Sequence, residues 1–238
     1  MAADGAPSFV RIASLASHEG ELVIAGEEAH YLSRVVRVRT GERLTATDGR
    51  GAIATLEVLA TGAEIRARVL AMREAVRTAT LELWCGAPEG DRADWIVEKL
   101  GELGVAVLVP LQCERARWER ADRRHERWER LAAAALRQSR SAWQLELRAP
   151  VPLADALRAL PAGGSRWACL PEGRAWDGRG AASGPCVAAV GPSSGFTESE
   201  LKLLSESGFD GVTLGRSRLR TETAAVAMAA LWAAADNG

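Results

Sequence analysis

Between residues 187 and 235 the chain twice runs a short apolar strand into a glycine-bearing turn and out into a helix. Val187-Ala188-Ala189-Val190 leads into Gly191-Pro192-Ser193-Ser194-Gly195-Phe196, and Val212-Thr213-Leu214-Gly215 leads into Arg216-Ser217-Arg218-Leu219-Arg220. Wholly apolar strands this short are buried on both faces, as in parallel sheets covered by helices. In an open sheet of that kind ligands sit beyond the carboxyl ends of the strands. Gly191 and Gly195 allow the backbone a close approach there, and Pro192 fixes one turn. Thr197, with Glu200 three residues on, reads as a capping box for a helix over 198–207 that Gly208 stops. Thr221 or Thr223 reads as the cap of a last helix over 221–235, with Glu222 favoured in its first turn by the helix dipole. A strand, a glycine turn and a helix also describe a phosphate-binding turn or a plain tight connection. Neither the dinucleotide fingerprint nor the P-loop spacing is present.

The first third of the chain has another texture. Short stretches of β-branched or alternating apolar residues at 22–24, 34–38, 43–47, 52–59 and 64–69 are punctuated by Gly20, Gly26, Gly41, Gly49, Gly51 and Gly62. This spacing predicts a small all-β barrel or sandwich, with residues 27–37 alternatively a short helix. From residue 81 onward strands (81–85, 106–111, 167–170, 187–190, 211–214) alternate with helices (91–103, 122–141, 198–207, 221–235), the signature of a parallel α/β sheet. The reading is therefore two domains, residues 1–74 and 75–238.

Composition narrows the classes. No apolar run reaches the roughly 18 residues of a membrane span, and the amino-terminal MAADGAPSF lacks the pattern of a secretory signal. Cys85, Cys113, Cys169 and Cys186 form no C-x-x-C pair and lie in or beside apolar stretches, which predicts free buried thiols in a reducing, cytoplasmic setting. With only three scattered histidines, no metal site is expected. The net charge of −1 argues against nucleic-acid binding by bulk field alone. All but two of the 30 basic residues are arginine, a planar fork suited to phosphate and base edges, although a GC-rich coding sequence enriches arginine everywhere.

The order G-P-x-x-G-F-T-x-x-E at 191–200, G-F-x-x-V-x-L-G at 208–215 and L-R-T-E-T-A at 219–224 resembles the carboxyl-terminal signature of the 16S ribosomal RNA uridine-N3 methyltransferases. Upstream, Gly90-Asp91-Arg92 with Glu98-Lys99 and Glu102-Leu103-Gly104-Val105 resemble that family's G-D-R…E-K…E-L-G-V segment. His30-Tyr31-Leu32, Val35-Val36-Arg37, Gly41 and Asp48-Gly49 resemble its H-x-L…V-L-R…G…D-G pattern. The likeness spans most of the chain in family order and is most specific at the carboxyl-terminal end.

The resemblance implies a homodimer in which a PUA-like amino-terminal barrel helps to hold RNA and a carboxyl-terminal SPOUT α/β domain is threaded into a trefoil knot, against the usual rule. It implies S-adenosyl-L-methionine as cofactor and 16S rRNA of the small ribosomal subunit as partner, with neither metal nor membrane. The cofactor loops are those after Leu170, after Val190 and after Leu214. Candidate cofactor-binding residues are Leu170, Gly191, Pro192, Ser193, Ser194, Gly195, Leu214, Gly215, Arg218 and Leu219. Arg220 is the candidate for stabilising an anionic uracil oxygen. Glu222 is a candidate base, with orientation of Arg220 or capping of the helix as alternatives.

Three motifs depart from the family. Ser193-Ser194 stand where it has Glu-Gly, Ser217-Arg218-Leu219-Arg220 where it has R-I-L-R, and Arg137-Gln138-Ser139-Arg140-Ser141 where it has E-Q-S-G-R. Two accounts compete: an active methyltransferase whose displaced arginines reach the same places, or a non-enzymatic or altered-substrate RNA-binding relative on the same scaffold. The candidate RNA contacts are Arg34, Arg37, Arg39, Arg43 and Arg140. A strand over 34–38 would turn Val36 and Val38 inward and leave Arg37, Arg39 and Arg43 on one face. The nine arginines between 115 and 140 read either as a solvated helix with ion pairs such as Glu126/Arg130, or as a surface tracking an RNA backbone.

Overall fold

The structure is a computed structural model that describes residues 8–13, 15, 20–119, 121–181 and 184–236. The chain divides into two compact units, Met1–Val76 with Leu136–Gln144, and Arg77–Ala135 with Leu145–Gly238.

The first unit is a five-stranded sheet built from β1 (Ser8–Arg11), β2 (Glu21–Ile24), β3 (Arg43–Thr47), β4 (Ala52–Ala60) and β5 (Ile65–Glu74), in the order β1-β3-β4-β5-β2. β1 lies parallel to β3, and the other pairs are antiparallel. Alternation along β4 sends Ala52, Ala54, Leu56 and Val58 into a core shared with Leu22, Ile24, Leu44, Ile65 and Leu32. Residues 34–38, expected as a strand, are not one. Helix α1 (Gly26–His30) continues into a wider π-helical turn, Tyr31–Val36, which ends on Arg37 in the left-handed region. The helical alternative prevails because Ala29 and Leu32, three residues apart, both reach the core from one helix face. Val38 is buried and Val36 half-buried, as expected, but Arg37, Arg39 and Arg43 do not share one strand face.

A piece from far along the sequence completes this unit. Gly51 N–H donates to Ala142 O (3.1 Å), Gln144 N–H to Gly49 O (2.9 Å) and the buried Thr47 hydroxyl to Ala142 O (3.2 Å). Trp143 lies so close over Gly51 that an added Cβ would sit 2.7 Å from the ring, at φ +113°. Arg137, where the family has an acid, reaches Glu28 at 2.5 Å and stacks 5.1 Å over the Tyr31 ring. Arg37 (φ 58°) and Arg140 (φ 55°) are the two non-glycine residues at positive φ among the described residues. An L side chain in that region costs on the order of 1 kcal/mol.

The second unit is a wholly parallel sheet of β6 (Thr80–Gly86), β7 (Val107–Gln112), β8 (Glu146–Leu147), β9 (Val151–Pro152), β10 (Ser165–Ala175), β11 (Pro185–Val190) and β12 (Asp210–Thr213). The order is β12-β10-β11-β6-β7-β8, with β9 also pairing β7. Helices α2 (Ala93–Glu102), α3 (Ala121–Ser139) and α6 (Thr221–Asp236) cover one face, and α4 (Leu153–Arg158) and α5 (Glu198–Glu206) the other. Leu81, Leu83, Cys85, Ala188 and Val190 therefore pack with Ile96, Leu100, Trp128, Met228 and Trp232. Trp84, Val187 and Ala189 pack instead with Leu153, Leu204 and Phe209. The Trp84 and Phe209 rings stand 5.5 Å apart, and each such buried side chain contributes about 1.5–3 kcal/mol. The α3 arginines pair across to the α2 region, Arg124 with Asp91 (2.5 Å) and Arg127 with Asp94 (2.7 Å), rather than in the Glu126/Arg130 manner. Lys99 donates to Glu98 and Glu102 at 2.7 and 2.9 Å, which holds its ammonium above the ordinary lysine pKa.

The alternating strand–helix expectation thus holds, and the elements over 187–190, 198–207 and 221–235 lie where the sequence placed them. Among the described residues no helix is long and apolar enough to cross a membrane.

Candidate active site

Beyond the carboxyl ends of β6 and β11, and beside a stretch within β10, opens a cavity of about 510 Å³. One wall is Leu170-Pro171-Glu172, a second the turn after β11 (Gly191, Pro192, Ser193, Gly195, Phe196), and a third the segment 218–222 that starts α6; Glu89 stands at the edge. A smaller cavity of about 60 Å³ shares Cys169, Leu170, Pro171, Arg218 and Leu219 and adds Thr213, Leu214, Gly215 and Ser217.

The first wall comes from an irregularity in β10. Val212 of β12 aligns with both Cys169 and Arg174, so residues 170–173 bulge out of the ladder toward the cavity. The sequence predicts a strand ending at Leu170; the strand continues to Ala175, and the expected loop is this bulge.

The second wall is set by close backbone approach. A Cβ on Gly86, the last residue of β6, would lie 2.3 Å from Pro192 N, and one on Gly191 would meet Phe196 at 3.2 Å. Gly195 N–H donates to Pro192 O at 2.8 Å and closes the turn. The capping box forms as the sequence predicts: Thr197 Oγ1 accepts from Glu200 N–H (3.2 Å) and Glu200 Oε2 from Thr197 N–H (2.8 Å). Glu200 Oε1 accepts from Glu114 N–H as well (2.9 Å), which ties the loop after β7 to the start of α5.

The third wall corrects a detail. Thr221, read as a helix cap, is instead the first residue of α6. The first helical bond runs from Ala224 N–H to Arg220 O (2.8 Å), and the buried Thr221 hydroxyl donates to Gly191 O at 3.0 Å. That bond brings Arg220 and Glu222 beside the Gly191 turn. Arg218 and Arg220 are exposed on the cavity. Glu222 is 7% exposed, and its Oε2 has no hydrogen-bond partner. A buried carboxylate oxygen without a donor is costly unless a ligand supplies one.

Burial holds the thiols nearby in their protonated form. Burial pushes Cys169, which lines both cavities, up to about 12. Burial first, then Cys113, Cys169 and the Glu222 carboxylate, push Cys85 well up. All four cysteines are free. No cluster of three or more His, Cys, Asp or Glu able to hold a metal occurs among the described residues.

Of the residues singled out by sequence, Leu170, Gly191, Pro192, Ser193, Gly195, Arg218, Leu219, Arg220 and Glu222 line the larger cavity, and Leu214 and Gly215 the smaller. Ser194 lines neither. Sequence reasoning missed Glu89, Cys169, Glu172, Phe196 and Leu201, and gave Thr221 another task. The signal for Glu172 was present, since it follows the apolar strand by two residues.

Residues 76–233 match a family described as an RNA methyltransferase domain, and residues 24–69 an RNA methyltransferase PUA domain. The chain belongs to this RNA methyltransferase family. It is 30% identical over 216 residues to a ribosomal RNA small subunit methyltransferase E of Synechocystis, covering 87% of this chain and 70% of the relative. It is 32% identical to the protein of that name from Mycobacterium bovis, over 85% and 82% of the two chains. Its fold is similar to a ribosomal RNA small subunit methyltransferase E of Neisseria gonorrhoeae, solved bound to S-adenosyl methionine (TM-score 0.85, 28% identity, 94% and 96% coverage). It is also similar to a Legionella pneumophila methyltransferase solved with bound SAM (TM-score 0.84, 25% identity, 97% and 98% coverage). Those neighbours are SPOUT-class methyltransferases with a PUA-like amino-terminal domain, and this chain shares that architecture.

Proposed function

We propose that this protein is an S-adenosyl-L-methionine-dependent methyltransferase that modifies N3 of a uridine in 16S rRNA of the small ribosomal subunit. Residues 77–135 with 145–238 form the catalytic SPOUT domain, knotted as its relatives' class implies, and residues 1–76 with 136–144 the RNA-holding PUA-like domain. It works as a cytoplasmic homodimer. The observation that carries the reading is the buried, unpartnered Glu222 carboxylate oxygen in a cavity walled by the Gly191 turn and Arg220.

The residues present fit the cofactor. The cavity of about 510 Å³ is of ligand size, inside the roughly 300–1,000 Å³ usual for such sites. Gly86 packs against Pro192 and Gly191 against Phe196, which fixes the backbone of the turn at the edge of the cavity. Leu170, Gly191, Pro192, Ser193, Gly195, Leu214, Gly215, Arg218 and Leu219 would hold the group. When bound, the cofactor supplies a methyl group made electrophilic by its sulfonium.

The chain supplies the rest. N3 of neutral uracil carries a proton, which Glu222 accepts as the base becomes nucleophilic. Arg220 faces the negative charge that then develops on a uracil oxygen. The Thr221–Gly191 hydrogen bond holds both beside the cofactor turn, so positioning lowers the barrier. Arg34, Arg37, Arg39, Arg43 and Arg140, all exposed, bind the RNA backbone. The test is calorimetric titration with S-adenosylmethionine, followed by methyl transfer to small ribosomal subunits and to bare 16S rRNA with mass-spectrometric mapping of the product. Micromolar binding and N3-methyluridine are expected; no binding at millimolar cofactor would sink the proposal.

A further inference from the structure

We propose that Glu172 is a specificity-determining residue, fixed at the cavity wall to favour a positively charged sulfonium cofactor over its neutral demethylated product. The proposal rests on the methyltransferase reading above and adds how the site tells fresh cofactor from spent. Glu172 sits in the stretch of β10 that bulges between Cys169 and Arg174, the two residues aligned with Val212. A bulge of this kind re-aims a side chain beside a site. Glycines fit it on both strands. A Cβ on Gly173 would lie 2.4 Å from the Val212 carbonyl carbon, and one on Gly211 would meet Leu170 Cδ1 at 3.3 Å. Pro171, which lines both cavities, fixes one backbone angle immediately before Glu172.

The Glu172 carboxylate is exposed at the cavity and has no ion-pair partner among the described residues. The nearest cation along the strand, Arg174, is spent on Asp177 and Asp210, each at 3.5 Å. On the cavity lining Glu89, Glu172 and Glu222 exceed Arg218 and Arg220 by one negative charge. The buried, unpartnered Oε2 of Glu222 independently marks the same cavity as a ligand site. A sulfonium cofactor carries one net positive charge and S-adenosylhomocysteine none, while adenine, ribose, amino group and carboxylate are common to both. A sulfonium offers no N–H or O–H to bond, so its charge is what a side chain can recognise. A fixed carboxylate does so without contact, because the energy falls only as the reciprocal of distance. Glu222 does not keep that preference through a turnover, since in the reading above it takes up the uracil proton. Glu89 precedes Gly90, around which the space is open, so nothing there fixes its carboxylate. Glu172 is the acid that is both held by its strand and free of proton transfer.

Glu172→Gln removes the charge and keeps the shape. Calorimetry on wild type and E172Q measures three ligands: S-adenosylmethionine, S-adenosylhomocysteine, and sinefungin, whose amine replaces the methylated sulfur and keeps a positive charge. E172Q is expected to bind the two charged ligands about three- to tenfold more weakly, a modest effect because solvent screens an exposed carboxylate. Its affinity for S-adenosylhomocysteine stays within about twofold of wild type, as a neutral ligand requires. Glu172→Asp, which keeps the charge, retains most of the wild-type preference. In a methyl-transfer assay E172Q is inhibited by S-adenosylhomocysteine more strongly, relative to cofactor, by the same factor. Equal weakening of all three ligands assigns Glu172 to a group they share, such as the ribose, and overturns the proposal. Unchanged binding of all three overturns it as well. Wild-type protein that binds none of the three overturns the cofactor reading itself, a failure distinct from either.

Discussion

The two units use arginine in opposite ways. In the parallel-sheet unit Arg218 and Arg220 stand at the wall of a concave cavity, beside a buried carboxylate. In the first unit Arg34, Arg37, Arg39, Arg43 and Arg140 stand out in solvent. A charge at the cavity faces weaker screening and acts on one small group with geometric precision. A charge in solvent acts on many phosphates and fades with salt. Arginine count is therefore uninformative in this chain, and setting is what separates the two tasks.

Substitutions probe that contrast in order of effect. Glu222→Gln should lower methyl-transfer kcat by about 10²–10⁴, the range for a general base, with cofactor affinity within a few-fold of wild type. Full retained turnover would remove Glu222 from the chemistry and leave it the start of a helix. Arg220→Ala should cost about 10²–10³ in kcat; a variant that mainly loses cofactor affinity would make the residue a binding group. Gly86→Val drives a side chain into Pro192, and overpacking of about 1–3 kcal/mol should appear as weaker cofactor binding in calorimetry. Gly51→Val in the other unit drives one into Trp143. It should cost a similar 1–3 kcal/mol or so of stability and shift tryptophan fluorescence, yet leave the cofactor titration alone. If it disturbs that titration, the two tasks are not separate.

The mildest probe is alkaline pH, read through the four cysteines, all of which lie in the second unit. Burial raises Cys113 and Cys169 from 9.0 to about 12. The folded state therefore keeps protons that the unfolded chain releases. Stability is fully present below pH 9 and declines as pH rises toward 12. Urea midpoints should fall between pH 9 and 10.5, and Cys169→Ser should lessen the fall; a flat profile would contradict the thiol burial.

The cavity end was legible because its signals are local. An apolar tetrad, a glycine turn and Thr197 with Glu200 each need only neighbours to be read, and each stands as expected. Residues whose structure depends on distant partners were not legible. Trp143 and Gly51 meet across more than ninety positions, so nothing near either announces the contact. Residues 34–38 mix β-branched valines with arginines, yet packing of Ala29 and Leu32 draws 34–36 into a helical turn that ends on Arg37. Thr221 has a capping residue's chemistry, and only its approach to Gly191 redirects the hydroxyl. α4 was unread because six residues show too little periodicity.

The Thr221–Gly191 hydrogen bond joins points thirty residues apart. The wall bearing Arg220 and Glu222 is in place only once the start of α6 has docked against the turn after β11. A chain on its way to the native state can thus hold a finished sheet and still have no ligand site. Cofactor would reward only chains in which this contact has formed, acting as a seal on completed sites rather than a scaffold for incomplete ones. Chains arrested before that step would be unable to sequester cofactor or act on RNA.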